Sequence, residues 1–300
     1  MKDSRDSIIE VSLNNGASTL KLLPGSEYEK VLMPLDYMPS MDYKPRWGFS
    51  KPPIPKLVEL FKRDTSNYLE VISKMKELES NYRKIPIHFN SNSIGWTGGA
   101  MNPIDLALYY YFVFNHRPRR VVEIGSGIST HFARRAISDG NLATKLLSID
   151  PNPRAEIDIL CDEVVRDGLE TLDSFEVFEK LEAGDIVFLD GSHRCFMNSD
   201  VTVFFMDIIP NLKSGVLIHI HDIALPYDYS LQFKHWYWNE QYMLGTYLMA
   251  AANQIKILYP GTFVFTDELL GQSLKAKTLD IPGLDPRGLQ DSGSFWFTKC

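Results

Sequence analysis

Cysteine is scarce: Cys161, Cys195 and Cys300 are the three in 300 residues. An odd number without a CxxC pair excludes a disulfide framework and a thiolate zinc ribbon. Long apolar runs are lacking too. The longest, Leu106 to Phe114, is well short of the roughly 20 residues that a membrane-spanning helix needs. No Lys/Arg block occurs, and 31 basic against 38 acidic residues give a net charge of −7, which argues against nucleic acid or an anionic membrane as the partner. The opening MKDSRDSIIEVS carries charges where a signal peptide needs an apolar core, so a cytoplasmic chain is expected. There is no internal repeat and no low-complexity tract. What is present is ample apolar material, 44% of the chain, enough for a substantial core.

Organisation is read from periodicity and breakers. Residues 1 to 53 are rich in Pro, Tyr and Met without a clear period and read as an irregular arm. From Leu57 to Tyr82 apolar residues recur at steps of three and four, the pattern of one amphipathic helix. A second helix should open at Pro103 and run through LALYYYFVF. Beyond Arg119 short apolar runs (120–124, 145–149, 163–165, 185–189 and 216–220) alternate with the helical candidates STHFARRAI, LETLDSFEVFEKL and SDVTVFFMDIIPNL. Such alternation predicts β-α-β units winding a parallel sheet with helices on both faces. A Trp/Tyr-rich helix near 231–252 then precedes QIKILYPGTFVFT and SGSFWFT, which are expected to pair antiparallel at one sheet edge with no helix between them. The division expected is an arm and helical extension over 1–102, contributing lid or acceptor-side elements, and a catalytic domain over 103–300.

Ligands of an open parallel sheet sit beyond the carboxyl ends of its strands, so the residues after each run are the informative ones. Glu123 closes the first run and Gly125-Ser126-Gly127 follows, a turn that lets backbone approach a ligand closely before a helix opens at Ser129-Thr130. Glu123 can accept from a ligand amine or order the loop. Asp150 ends the second run, 23 residues beyond Gly127, placed to accept both hydroxyls of a ribose. Asp167-Gly168 follows the third, beside an adenine amino group. Asp190-Gly191-Ser192-His193 closes the fourth and His219-Ile220-His221-Asp222 the fifth. Thr130 stands where the dinucleotide fingerprint has its third glycine. That change, with the acid ahead of the first glycine, favours S-adenosylmethionine over NAD.

E-I-G-S-G-x-S-T followed by L-S-I-D resembles the first two motifs of class I S-adenosylmethionine-dependent methyltransferases. The run from LEAGDIVFLDGSH to GVLIHIHDIALPYDY, with WNEQYML after it, is similar to an uncharacterised bacterial branch of that superfamily with a GDxxFxDxSH…GVxxHxHDI pattern. The resemblance covers roughly residues 85 to 300. It implies a Rossmann-like sheet of seven strands, mostly parallel, with an antiparallel C-terminal strand, and S-adenosylmethionine as cofactor. Glu123, Gly125, Ser126 and Gly127, with Ser129 and Thr130 behind them, become the loop at its methionine end. Asp150 becomes the ribose acceptor, Asp167 an adenine-side contact, and Asp190 a neighbour of the sulfonium. Metal-dependent O-methyltransferases of the superfamily hold a divalent cation at the positions of Asp190, His221 and Asp222, although histidine there departs from their acidic or amide pair.

Methyl transfer to a hydroxyl needs alignment and a base or a metal that removes the proton. His193 and His221 are the candidate catalytic groups; His219, one residue inside the strand, reads as structural. Asp200 and the run after it read as a helix start on the outer face. Tyr227, Tyr229, Trp236, Tyr237 and Trp238 either wall an acceptor pocket or belong to the core, and GWTGGAMNP (95–103) reads as either a cofactor cover or an ordinary turn. The arm with Trp47 serves acceptor specificity or self-association into a homo-oligomer. The function expected is O-methylation of a small molecule, a sugar or secondary metabolite, with or without a divalent metal. A metal-dependent hydrolase built on HxHD and a non-catalytic cofactor-binding protein are the alternatives.

Overall fold

The computed structural model describes residues 9–12, 19–22, 44–90, 93–233, 236–276, 279–289 and 291–300. Residues up to Tyr43 and those from Lys44 to Cys300 form two separate units. Most of the arm therefore lies outside the described residues, as does what it does for specificity or self-association. Within the first unit β1 (Ile9–Ser12) and β2 (Thr19–Leu22) pair antiparallel.

The second unit opens with α1 (Pro55–Phe61), α2 (Thr65–Glu77) and α3 (Glu79–Tyr82). One continuous helix was expected here. The apolar stripe runs through Leu57, Leu60 and Phe61 and then meets Asp64, where the period calls for an apolar residue. A single 3-10 turn, Lys62–Asp64, takes up the interruption, and Tyr68, Val71, Ile72 and Met75 return to the buried face. α4 (Pro103–His116) has Pro in its first turn and is buried almost throughout.

Then follow β3 (Arg120–Ile124), α5 (Ile128–Asp139), β4 (Lys145–Ile149), β5 (Glu163–Val165), α6 (Glu176–Glu179), β6 (Ile186–Leu189), α7 (Asp200–Val203), β7 (Leu217–Ile220), α8 (Glu240–Ala250), β8 (Ile255–Pro260), α9 (Gly261–Thr266), α10 (Glu268–Ala276) and β9 (Phe295–Lys299). The five strands β3 to β7 lie where the apolar runs place them. Three helical expectations shrink. LETLDSFEVFEKL holds only a 3-10 turn at Leu169–Thr171 and the single turn α6. SDVTVFFMDIIPNL begins as α7, widens into a π-turn at Phe204–Ile208 and ends in a 3-10 turn around Pro210, which cannot continue an α-helix. In the segment read as a helix over 231–252, α8 begins only at Glu240. A fourth expectation is corrected outright: α9 and α10 intervene between β8 and β9, because GTFVFT folds back as a helix directly after Pro260.

The sheet order is β5-β4-β3-β6-β7-β9-β8, parallel from β5 to β7, with β9 antiparallel to both neighbours. Strand order reverses between β3 and β6, which fixes where a ligand crevice can open. Phe188, His219 and Trp296 stand side by side across β6, β7 and β9. α4 lays Tyr109 on Phe188 at 4.3 Å and Phe112 on Trp296 at 4.0 Å between ring centroids. His219 sits inside this aromatic row, fully buried, 4.1 Å from Phe188, with Nε2 3.0 Å from Ser294 Oγ. Burial holds its imidazole well below the usual range. No described helix is long and apolar enough to cross a membrane.

Candidate active site

The glycine turn is built by close approach of two strand ends. Gly125 has φ +81°, and a Cβ there would fall 2.0 Å from the carbonyl oxygen of Asp190. Only glycine tolerates both constraints. Beneath the turn Gly127 N–H donates to Thr130 Oγ1 (3.1 Å), and Thr130 Oγ1 donates to Glu123 Oε2 (2.6 Å). Glu123 is fully buried, and that burial pushes its carboxyl up to about 7, against the pull of the Thr130 hydroxyl. From the adjacent strand Asp150 Oδ2 accepts Ser126 N–H (2.7 Å), while its Oδ1 accepts Asn152 N–H (2.8 Å).

These groups border a cleft of about 470 Å³ at the β3/β6 switch point, within the usual range for a small-molecule site. Gly125, Ser126, Gly127, Ser129, Asp150 and Asp190 line it. Glu123 and Thr130 lie under the turn as its support, and Asp167 is exposed beside the lining residue Gly168. From GWTGGAMNP, Gly98 to Met101 also line the cleft. Asp200, expected on the outer face, also lines it. Its carboxylate accepts Ser192 N–H (2.7 Å) and the Ser192 hydroxyl, which clamps the turn after β6.

Asp190 also belongs to a compact cluster whose other members do not line the cleft. His193 Nε2 lies 3.4 Å from Asp190 Oδ1 and 3.4 Å from Asp222 Oδ2, and its Nδ1 lies 3.0 Å from Glu240 Oε2. His221 Nδ1 lies 3.7 Å from Asp190 Oδ1 and 3.5 Å from Asp222 Oδ1, and its Nε2 lies 3.3 Å from Asp105 Oδ2. Asp190, His193 and Asp222 bring one donor atom each within 4.8 Å of one another. Both His193 (φ +60°) and Asp222 (φ +57°) adopt left-handed backbone, a strain that other contacts must hold in place. Burial by itself would lower both imidazoles. The carboxylates outweigh it, pushing His193 up to about 10 through Asp190 and Glu240 and raising His221 through Asp222, Asp190 and Asp105. Burial likewise opposes ionisation of Asp190, yet His221 and His193 hold its carboxyl well below the usual range.

Three parts of this cluster escape the sequence patterns. Asp105 is buried in the first turn of α4 and accepts Gly293 N–H (3.0 Å), Ser294 N–H (3.3 Å) and the Ser292 hydroxyl. A lone acid heading an otherwise apolar helix was the available signal. Glu240, fully buried, starts α8, and no spacing rule ties it to His193. The Ser292-Gly293-Ser294 bend reaches the site only through the antiparallel course of β9; a Cβ on Gly293 would crowd the Asp222 backbone at 3.1 Å. Trp238 packs its ring 4.4 Å from that of His193 and stacks on Phe233, while Trp236 remains half exposed at the rim.

Residues 122–223 match the model of a methyltransferase domain. An uncharacterized protein of Archaeoglobus fulgidus is 34% identical over 77 residues, 25% of this chain and 34% of that protein, so the match spans about a third of the relative's length. Among solved structures, the SAH-bound O-methyltransferase from Bacillus cereus aligns at 16% identity over 77% of this chain and 90% of its own, with TM-score 0.39. SAH-bound Podospora anserina methyltransferase aligns at 10% identity over 81% and 96%, with TM-score 0.40. The matched segment runs from β3 through the glycine turn, Asp150 and Asp190 to just past β7, which is the parallel half of the sheet and its switch point. Over residues 122–223, about a third of its length, the chain is thus similar to a methyltransferase domain.

Proposed function

We propose that this protein transfers the methyl group of S-adenosylmethionine to a hydroxyl of a small molecule. The observation that carries the reading is the position of Asp190, which lines the glycine-turn cleft and also belongs to the His193/His221/Asp222 cluster. A cofactor half and a proton-handling half therefore share one residue. In this reading Gly125, Ser126, Gly127 and Ser129 receive the methionine end, Asp150 accepts the ribose hydroxyls, and Asp190 faces the sulfonium. Glu123 and Thr130 act by holding the turn, and Asp167 borders the adenine side.

The acceptor oxygen attacks the methyl carbon in line with the C–S bond. That bond's electron pair leaves on sulfur, giving the neutral thioether, and the hydroxyl proton passes to the Asp190/His193/His221/Asp222 cluster, whose carboxylates can accept it. The buried carboxylates Glu240 and Asp105 orient the two rings for that transfer. A divalent cation held by Asp190, Asp222 and an imidazole would supply Lewis acidity that lowers the acceptor hydroxyl's pKa. Its fit is supported by a buried, unpartnered donor, His221 Nδ1, turned toward two carboxylates.

Calorimetric titration of metal-stripped protein with S-adenosylmethionine, S-adenosylhomocysteine and NAD tests the reading. Binding of the first two and not of NAD is expected. Absence of binding to either sulfur compound would discard it in favour of a hydrolytic metal centre on the same residues.

A further inference from the structure

The two histidines of the cluster are held in the same way by residues far apart in sequence. Each has one ring nitrogen on a fully buried carboxylate: Nδ1 of His193 on Glu240, and Nε2 of His221 on Asp105. The donors converging on Asp105 from Ser292, Gly293 and Ser294 make its oxygens acceptors, so His221 Nε2 is a donor toward it. The remaining nitrogens, His193 Nε2 and His221 Nδ1, face Asp190 and Asp222. His221 Nδ1 is buried without a hydrogen-bond partner.

The spacing suits a shared ion. Two N or O donors about 2.0–2.2 Å from one centre stand roughly 2.8–3.6 Å apart at octahedral or tetrahedral angles. The four imidazole–carboxylate separations here run from 3.4 to 3.7 Å. Left-handed backbone at His193 and Asp222 is the kind of strain that persists where a donor must be aimed. Four carboxylates (Asp105, Asp190, Asp222, Glu240) face two imidazoles, an excess of negative charge that a dication offsets.

We infer that Asp190, His193, His221 and Asp222 form a two-imidazole, two-carboxylate centre for a first-row transition-metal dication, with Asp105 and Glu240 as outer carboxylates that fix the imidazole tautomers. The inference deepens the reading above by assigning the metal class and by adding His193, Asp105 and Glu240 to the metal's holding groups. Imidazole favours zinc, cobalt or iron, whereas magnesium prefers an all-oxygen octahedron and keeps its waters. Outer carboxylates on metal-bound histidines typically account for ten- to a hundredfold in metal affinity.

The test is titration of the metal-stripped full-length protein with Zn²⁺, Co²⁺ and Mg²⁺ salts, followed by calorimetry and, for Co²⁺, by visible absorption. One equivalent of Zn²⁺ or Co²⁺ should bind at least about a hundredfold more tightly than Mg²⁺, with ligand-field bands that change in His193→Gln. Glu240→Gln and Asp105→Asn should each weaken Zn²⁺ binding by about ten- to a hundredfold. The Co²⁺ spectrum of the unsubstituted protein keeps the test decisive even where a variant does not fold. Mg²⁺ binding as tightly as Zn²⁺, no binding of any cation, or Zn²⁺ affinity untouched in folded His193→Gln would overturn the inference. S-adenosylhomocysteine titrated in parallel separates the two proposals. S-adenosylhomocysteine binding by a protein that takes up none of the cations defeats this one alone, and cation uptake with no S-adenosylhomocysteine binding defeats the methyl-transfer reading alone.

Discussion

Gly125 and Asp190 touch backbone to backbone. The Cα hydrogen of Gly125 faces the Asp190 carbonyl so closely that no side chain fits between the ends of β3 and β6. That contact brings the glycine turn beside the acid that begins the His/Asp cluster. Gly125→Ala meets both the clash and a φ of +81°, at a cost of about 1–3 kcal/mol. A lower melting temperature and at least tenfold weaker S-adenosylhomocysteine binding are expected, read by thermal melts and calorimetry.

Asp150 already accepts two backbone N–H groups, so it both shapes the turn and presents a carboxylate to the cleft. Asp150→Ala should weaken S-adenosylhomocysteine binding by about a hundredfold, roughly 2.8 kcal/mol. Asp150→Asn, which retains one acceptor oxygen, should fall between. Unchanged calorimetric affinity in Asp150→Ala would remove the ribose role.

Glu123 gives a pH signature of stability. Its carboxyl titrates at about 7 in the folded chain, above its unfolded value, so between roughly pH 4.5 and 7 the native state binds the extra proton. The relative stabilisation is complete below the unfolded value and is lost as pH rises through 7, by roughly 3 kcal/mol at most. Glu123→Gln keeps the acceptor for Thr130 and removes the titration. Urea unfolding at pH 5 and pH 7.5 should show a smaller drop for the variant, and an identical drop would exclude Glu123 as the source.

Asp105 ties α4, β7 and the bend before β9 together through four hydrogen-bond donors. Asp105→Ala leaves those donors buried without an acceptor and should cost about 3–5 kcal/mol. Asp105→Asn, able to accept but with a changed partner for His221, should cost less. Denaturant midpoints at constant m-value measure both.

Much of this architecture is legible locally. Strands β3 to β7 follow from runs of apolar, β-branched residues, and Pro103 marks the start of α4. The glycine turn and Asp150 follow from what close backbone approach requires. Helix continuity is harder to read: Asp64 and Pro210 each break a pattern whose average period is sound.

The sequence by itself determined the alternation of strands and helices and the identity of the acids and histidines at the strand ends, because both depend on neighbours a few residues away. Only the tertiary structure decided that Asp105 meets His221 across 116 positions and Glu240 meets His193 across 47. Those pairings depend on which strand lies next to which and on the antiparallel course of β9. Strand order and the entry of distant helices are set by burial of the whole sheet, a global balance that no short stretch of residues records.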